Sequence, residues 1–140
     1  MHGTEWNLDR IRPHIAAHLP LAALLGIEVA AADARHSLVR LAASPHITRP
    51  GGSVAGPIMF AMADVAAYVL LLVVREEAEA ATANLLINFF RPALELPLLA
   101  EAVLLRSGRR LMTFDVRIWP QDAARDRLVA QATATFALPG

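Results

Sequence analysis

The stretch that decides the fold is Gly56-Pro57-Ile58-Met59-Phe60-Ala61-Met62-Ala63-Asp64-Val65-Ala66-Ala67-Tyr68-Val69-Leu70-Leu71-Leu72-Val73-Val74-Arg75. Pro57 suits the first turn of a helix, where its missing N–H has no intrahelical partner to lose. The 17 residues from Ile58 to Val74 are nearly all apolar, the short limit for crossing a bilayer. Asp64 lies inside that run, and a mid-membrane Asp costs about 2.5–3.5 kcal/mol on insertion scales. The spacing therefore predicts a helix over 57–75 that is buried on every side within a protein core.

What surrounds this helix must cover it. Upstream, Leu8, Ile11, Ile15 and Leu19 recur at helical spacing, interrupted by Pro13 and Pro20, so residues 1–25 form an N-terminal helical segment that Gly26 ends. Two short strands are expected next, Ile27–Ala32 and Arg35–Ala43, turning at Asp33-Ala34. Residues 44–56 are a loop by composition. Downstream come four strand candidates. In the first, Ala83, Leu85, Ile87 and Phe89 share a face opposite Thr82, Asn84 and Asn88. Residues 98–106 form a more apolar strand before a Ser107-Gly108 turn. The last two alternate through Met112, Phe114, Val116 and Ile118, and through Ala130, Ala132, Ala134 and Phe136. Period-two patterns with polar outer faces and short turns indicate an antiparallel sheet. One apolar helix and about six such strands leave few packing solutions, and the expected one is an α+β fold in which the sheet curls around the helix.

Composition agrees and narrows the function classes. The chain has 140 residues, read as one domain over 1–140, with 56% hydrophobic and 19% charged residues. That apolar excess, with an exposed edge strand, favours pairing with another copy. Lys+Arg and Asp+Glu balance at 13 each, so no global field draws in nucleic acid or an anionic membrane. With no cysteine, thiolate metal sites and cysteine nucleophiles are excluded. Met1–Trp6 lacks a basic region followed by an apolar run, so a cytoplasmic protein without a secretory leader is expected. Phosphate-binding loops, G-x-S-x-G elbows and dinucleotide fingerprints are absent as well. His14 and His18 stand four apart, but no carboxylate accompanies them at a zinc-motif spacing. They are read as surface histidines and no metal is expected.

Asp64 carries the chemistry. A buried carboxylate costs several kcal/mol or stays protonated, so it is retained to work or to be capped by local donors. In a cleft it serves as a general base or nucleophile. Gly56 and Ile58 place N–H groups at the positive end of the helix dipole, where they polarise a carbonyl as an oxyanion hole does. Arg91, Arg106, Arg109 and Arg110 cluster near turns and suit a phosphorylated small ligand.

The run Gly56–Ala66 resembles the central helix of hotdog-fold thioesterases of the phenylacetate-pathway (PaaI-like) type. The segments Thr82–Pro92, Gly108–Leu111 and Ala130–Thr133 resemble that family's later strands, so that the likeness covers about residues 20–138. It implies a hotdog fold and hydrolysis of an acyl-coenzyme A thioester in a site shared by two subunits of a homodimer or tetramer. Coenzyme A enters as part of the substrate, and no cofactor is needed. Carried over by position, Asp64 matches the catalytic carboxylate, Gly56 the glycine whose N–H polarises the thioester carbonyl, and Thr82 a hydroxyl that helps position water. Arg91, Arg109 and Arg110 match coenzyme A contacts. Arg49, Ser53, Ile58 and Tyr68 are candidates for substrate binding. Family members usually carry His-Gly-Gly at the helix start, where this chain has Ala55-Gly56-Pro57, and often Asn or Gln where it has Arg49. A non-catalytic acyl-CoA or lipid-binding protein, and a hotdog dehydratase using His46, stay open beside the thioesterase.

Overall fold

The computed structural model describes residues 6–42 and 51–140. The N-terminal segment is two helices, α1 (Leu8–His18) and α2 (Pro20–Leu25). Asn7 caps α1 by accepting the Arg10 N–H. Pro13 does not break α1; the break comes at Leu19, with φ −130° and ψ 63°, because Pro20 disfavours helical backbone in the residue before it. Gly26, at φ 83°, takes the left-handed conformation that closes α2 and turns the chain into the sheet.

Strands β1 (Ile27–Ala32) and β2 (Ser37–Leu41) form a hairpin whose turn is held by Asp33 Oδ1, which accepts from Arg35 N and His36 N. That capped turn extends to His36, so β2 starts two residues later than the sequence pattern predicts. The central helix α3 spans Gly56–Arg75, followed by β3 (Ala81–Phe89), β4 (Leu98–Ser107), β5 (Leu111–Pro120) and β6 (Ala130–Ala137). All pairings are antiparallel, in the order β1-β2-β4-β5-β6-β3. This is the expected α+β hotdog: one six-stranded sheet curled around a long helix that touches every strand.

The alternation seen in β5 and β6 puts Met112, Phe114, Val116, Ala132, Ala134 and Phe136 against the helix, and all are buried. Small residues on β6 (Ala130, Ala132, Ala134) let the sheet approach α3 closely. Ser37, fully buried, donates its hydroxyl to the Ala66 carbonyl and ties β2 to the middle of the helix. By length and composition α3 could cross a membrane, yet 72% of its most apolar window is buried inside the fold, where strands occupy the place of lipid.

The helix is not covered on every side as its composition suggests. Its second half, Val65–Val73, is buried all round, whereas Gly56, Pro57, Phe60, Ala61 and Asp64 form a less buried stripe at helical spacing. The reason is the sheet's edge. Beside this stripe β3 ends the sheet, and its outermost residues stay open: Leu86 is 62% exposed and Phe89 50%.

Candidate active site

Asp64 sits on that open stripe, two turns into α3, half-buried between buried Ala63 and Val65. The hydroxyl of Thr82 donates to its Oδ1 at 2.6 Å. Strict alternation from Leu85, Ile87 and Phe89 places Thr82 on the opposite face, and here the structure corrects the sequence reading. Ala83 is an extra residue between Thr82, paired with Phe136, and Asn84, paired with Thr135. This bulge resets the phase, so Thr82 and Leu85 both face the helix. Desolvation pushes the Asp64 carboxyl above the ordinary range, and the Thr82 hydrogen bond pulls it partly back.

One helical turn beyond Asp64, Tyr68 forms the wall of the same cleft, an open space of about 300 Å³ that Thr82, Phe136 and His18 also border. Its ring stacks on Phe136, with 6.2 Å between centroids. The Tyr68 hydroxyl donates to the Ala78 carbonyl at 2.7 Å, which leaves its oxygen to accept from His14 Nε2 at 2.9 Å. Burial raises the phenol above its usual range and, as the larger cause ahead of the neighbouring His18 and Arg10 charges, lowers His14. Of the two histidines read as surface residues, His18 is exposed, whereas His14 is half-buried, its ring 4.5 Å from that of His18 and 4.8 Å from Trp6. Among the described residues, no group of His, Asp and Glu side chains is placed to hold a metal.

Gly56 opens α3 at the far end of the stripe. Eight residues of helix separate it from Asp64, a rise of about 12 Å, so one chain does not bring the carboxylate and the helix-start N–H onto one small group. Gly56, Ser53, Phe89 and Arg91 line a cleft of about 440 Å³. Gly56, Pro57, Phe60, Ile87 and Phe89 line an apolar notch of about 330 Å³. Phe89 packs close to this position: a Cβ on Gly56 would lie 3.2 Å from Phe89 Cζ, so the half-exposed ring would have to yield by a few tenths of an ångström. Ile58 is not a second oxyanion donor, because its N–H is taken by the Ala55 carbonyl at 3.0 Å.

The arginines divide. Arg91 follows β3 at the end where Phe89 aligns with Ala130 and Ile118, whereas Arg109 and Arg110 sit at the other end, where Ala81 aligns with Ala137 and Leu111. Seven residues of strand, about 23 Å, separate the two ends. They cannot meet on one phosphate within a protomer. Arg49 and His46 lie outside the described residues. Sequence reasoning passed over Glu101, a buried acid on the outer face of β4 that pairs with His36 Nδ1 and with Arg125. It also missed that His18 borders the cleft that holds Asp64, which only the packing of α1 produces.

The sequence model of the Thioesterase superfamily matches residues 51–134, more than half of the chain. The chain belongs to the Thioesterase superfamily. Among solved structures, a protein named "Putative thioesterase" from Silicibacter sp. is 30% identical, covering 99% of this chain and 97% of its own, with a TM-score of 0.84. A thioesterase from Haemophilus influenzae, 16% identical, superposes with a TM-score of 0.86 over 99% of this chain and 94% of its own. The PaaI protein from the E. coli phenylacetic acid degradation operon does so with 0.78 at 20% identity, covering 92% and 91%. By sequence, the chain is 27% identical over 112 residues to a Saccharolobus solfataricus protein named "Putative esterase", covering 80% of this chain and 73% of that one. In this superfamily member, the matched region contains Gly56, Asp64 and Thr82.

Proposed function

We propose that the protein is an acyl-CoA thioesterase of the PaaI-like type, active as a homodimer or a dimer of dimers. The observation that carries this reading is the Asp64–Thr82 pair: a partly buried carboxylate with a raised pKa, held by one hydroxyl and open to a cleft. Asp64 acts as base toward water, which adds to the thioester carbon and yields the acid directly, or attacks that carbon itself to form a mixed anhydride that water then hydrolyses. In either case the carbonyl oxygen is polarised by a Gly56 N–H, and the thiolate of coenzyme A leaves. Because about 12 Å of helix separates Gly56 from Asp64 in one chain, the donor comes from Gly56 of the partner subunit. A second copy, antiparallel along the exposed β3 edge, brings the Gly56 end of one protomer to the Asp64 end of the other. The same pairing draws Arg91 of one protomer toward Arg109 and Arg110 of the partner subunit, so that arginines too far apart in one chain converge on coenzyme A phosphates. Ser53 and Tyr68 line the two half-clefts that the substrate joins.

The second reading, an acyl-CoA binding protein without turnover, is favoured by one feature: the helix start is short of donors, because Pro57 has no N–H and the Ile58 N–H is bonded to the Ala55 carbonyl. Thiol release from a panel of short, long and aromatic acyl-CoAs decides between them, and the cysteine-free chain gives no background with a thiol-reactive dye. Release by the wild type, lowered about 10²–10⁴-fold in Asp64→Asn, is expected. Binding without release from any member of the panel would select the second reading.

A further inference from the structure

The N-terminal helix closes one side of the Asp64 cleft, and it brings a polar group that the mechanism above does not use. Most polar groups of that cleft are already committed inside the fold. Thr82 gives its proton to Asp64; Tyr68 gives its own to Ala78 and accepts from His14. His18 differs. Among the described residues its ring makes only the stacking contact with His14, and the side chain stands exposed at the cleft rim. The rest of the lining is apolar, chiefly Leu19, Phe136 and the alanines at 78, 80 and 81.

Charge decides what such a cleft accepts. No arginine or lysine lines it, and Glu77 and Glu79 alternate with the lining residues Ala78 and Ala80. With no arginine or lysine in the lining, a phosphate or a carboxylate would enter the cleft unpaired. Size adds a limit. The cleft of about 300 Å³ is roughly twice a cavity that holds benzene, and Tyr68 lies about 6 Å along the helix from Asp64. We infer that this cleft is the acyl-group subsite and that His18 is a specificity-determining residue, hydrogen-bonding a neutral hydroxyl or amide at the far end of an acyl group of about six carbons. The identity of the ligand rests on the acyl-CoA reading above, but the inference does not depend on turnover.

The test is therefore a binding measurement, by calorimetry on the full-length Asp64→Asn protein with hexanoyl-CoA, 6-hydroxyhexanoyl-CoA and adipyl-CoA. The hydroxylated thioester is expected to bind roughly tenfold tighter than hexanoyl-CoA, the worth of one added hydrogen bond. Adding His18→Leu brings the two within about twofold of each other, and His18→Asn, which keeps a hydrogen-bonding side chain, restores part of the preference. Equal affinities with His18 present, a preference that survives His18→Leu, tightest binding of the adipyl thioester, or no binding of any of the three would overturn the inference. Failure of the thioesterase reading is seen separately, as absent thiol release by the wild type while the His18-dependent preference persists.

Discussion

Asp64 is held in a compromise between two opposed effects. Partial burial disfavours its charge, and the Thr82 hydroxyl favours it, so that the balance leaves the pKa raised. A carboxyl whose pKa is higher folded than unfolded contributes its stability below the unfolded value and loses it as pH rises through the folded one. Asp64→Asn is thus expected to melt no lower than the wild type at pH 7–8, while losing activity. Its relative stability should decline as pH falls into the carboxylate range, where wild-type Asp64 is neutral too; thermal melts at several pH values check this. Asn keeps a carbonyl oxygen for Thr82, so the fold loses no hydrogen bond. Thr82→Ala acts in the opposite sense on the charge. Without that donor the Asp64 pKa rises further, and the acid limb of the rate profile moves to higher pH. The loss below neutrality is expected on the order of tenfold, recovering in part as pH is raised. An unmoved acid limb would mean that Asp64 is not the group whose ionisation limits the rate.

At the scale of elements, the bulge in β3 and the start of α3 fix where the chemistry sits. Ala83 is the residue that puts Thr82 in phase with Leu85 and Ile87. Deleting it straightens the strand: Asn84 stays opposite Thr135, and Thr82 remains opposite Phe136 and facing Asp64. The deletion is expected to retain more activity than Thr82→Ala, and a crystal structure should show the Thr82–Asp64 hydrogen bond intact. Equal loss in the two variants would show that the bulge does more than set phase. The alternation of strands β5 and β6 was legible in the sequence because nothing interrupts it. The bulge was not, because a single extra alanine in a strand of alternating residues leaves no compositional trace. The N-terminal helices show a related limit: two prolines look alike in sequence, but only Pro20 ends a helix.

At the scale of the molecule, the two halves of the proposed site lie about two turns apart on one helix, and the proposed dimer is what joins them. The β3 edge beside them carries Leu86, Phe89 and, just beyond it, Phe90, each at least half exposed, as a surface that awaits cover does. A mixing experiment tests this directly. Asp64→Asn, which lacks the base, and Gly56→Val, which keeps the N–H but crowds it with a branched side chain against Phe89, are each expected to be nearly inactive alone. Dissociated and reassembled at equal amounts, they form heterodimers in which one of two sites has both an intact Asp64 and an intact Gly56. Activity should then return to about a quarter of wild type, half of the dimers with half of their sites. No recovery, in a mixture shown to contain heterodimers, would place both groups in one chain's site and overturn the shared arrangement.

The sequence by itself determined the class of fold and the central carboxylate. A long apolar helix with one internal Asp, amid alternating strands, has few ways to bury its surface, and hydrophobic periodicity is a local signal that a chain carries openly. What only the tertiary structure decided are the contacts made between elements far apart in sequence. Thr82 reaches Asp64 through a bulge, Ile58 spends its N–H on Ala55, and the arginines separate to opposite strand ends. His18 arrives at the cleft because α1 packs there through His14 and Tyr68, 54 residues apart. Such distances are set by packing and register, and neither is written in the spacing of residues along the chain.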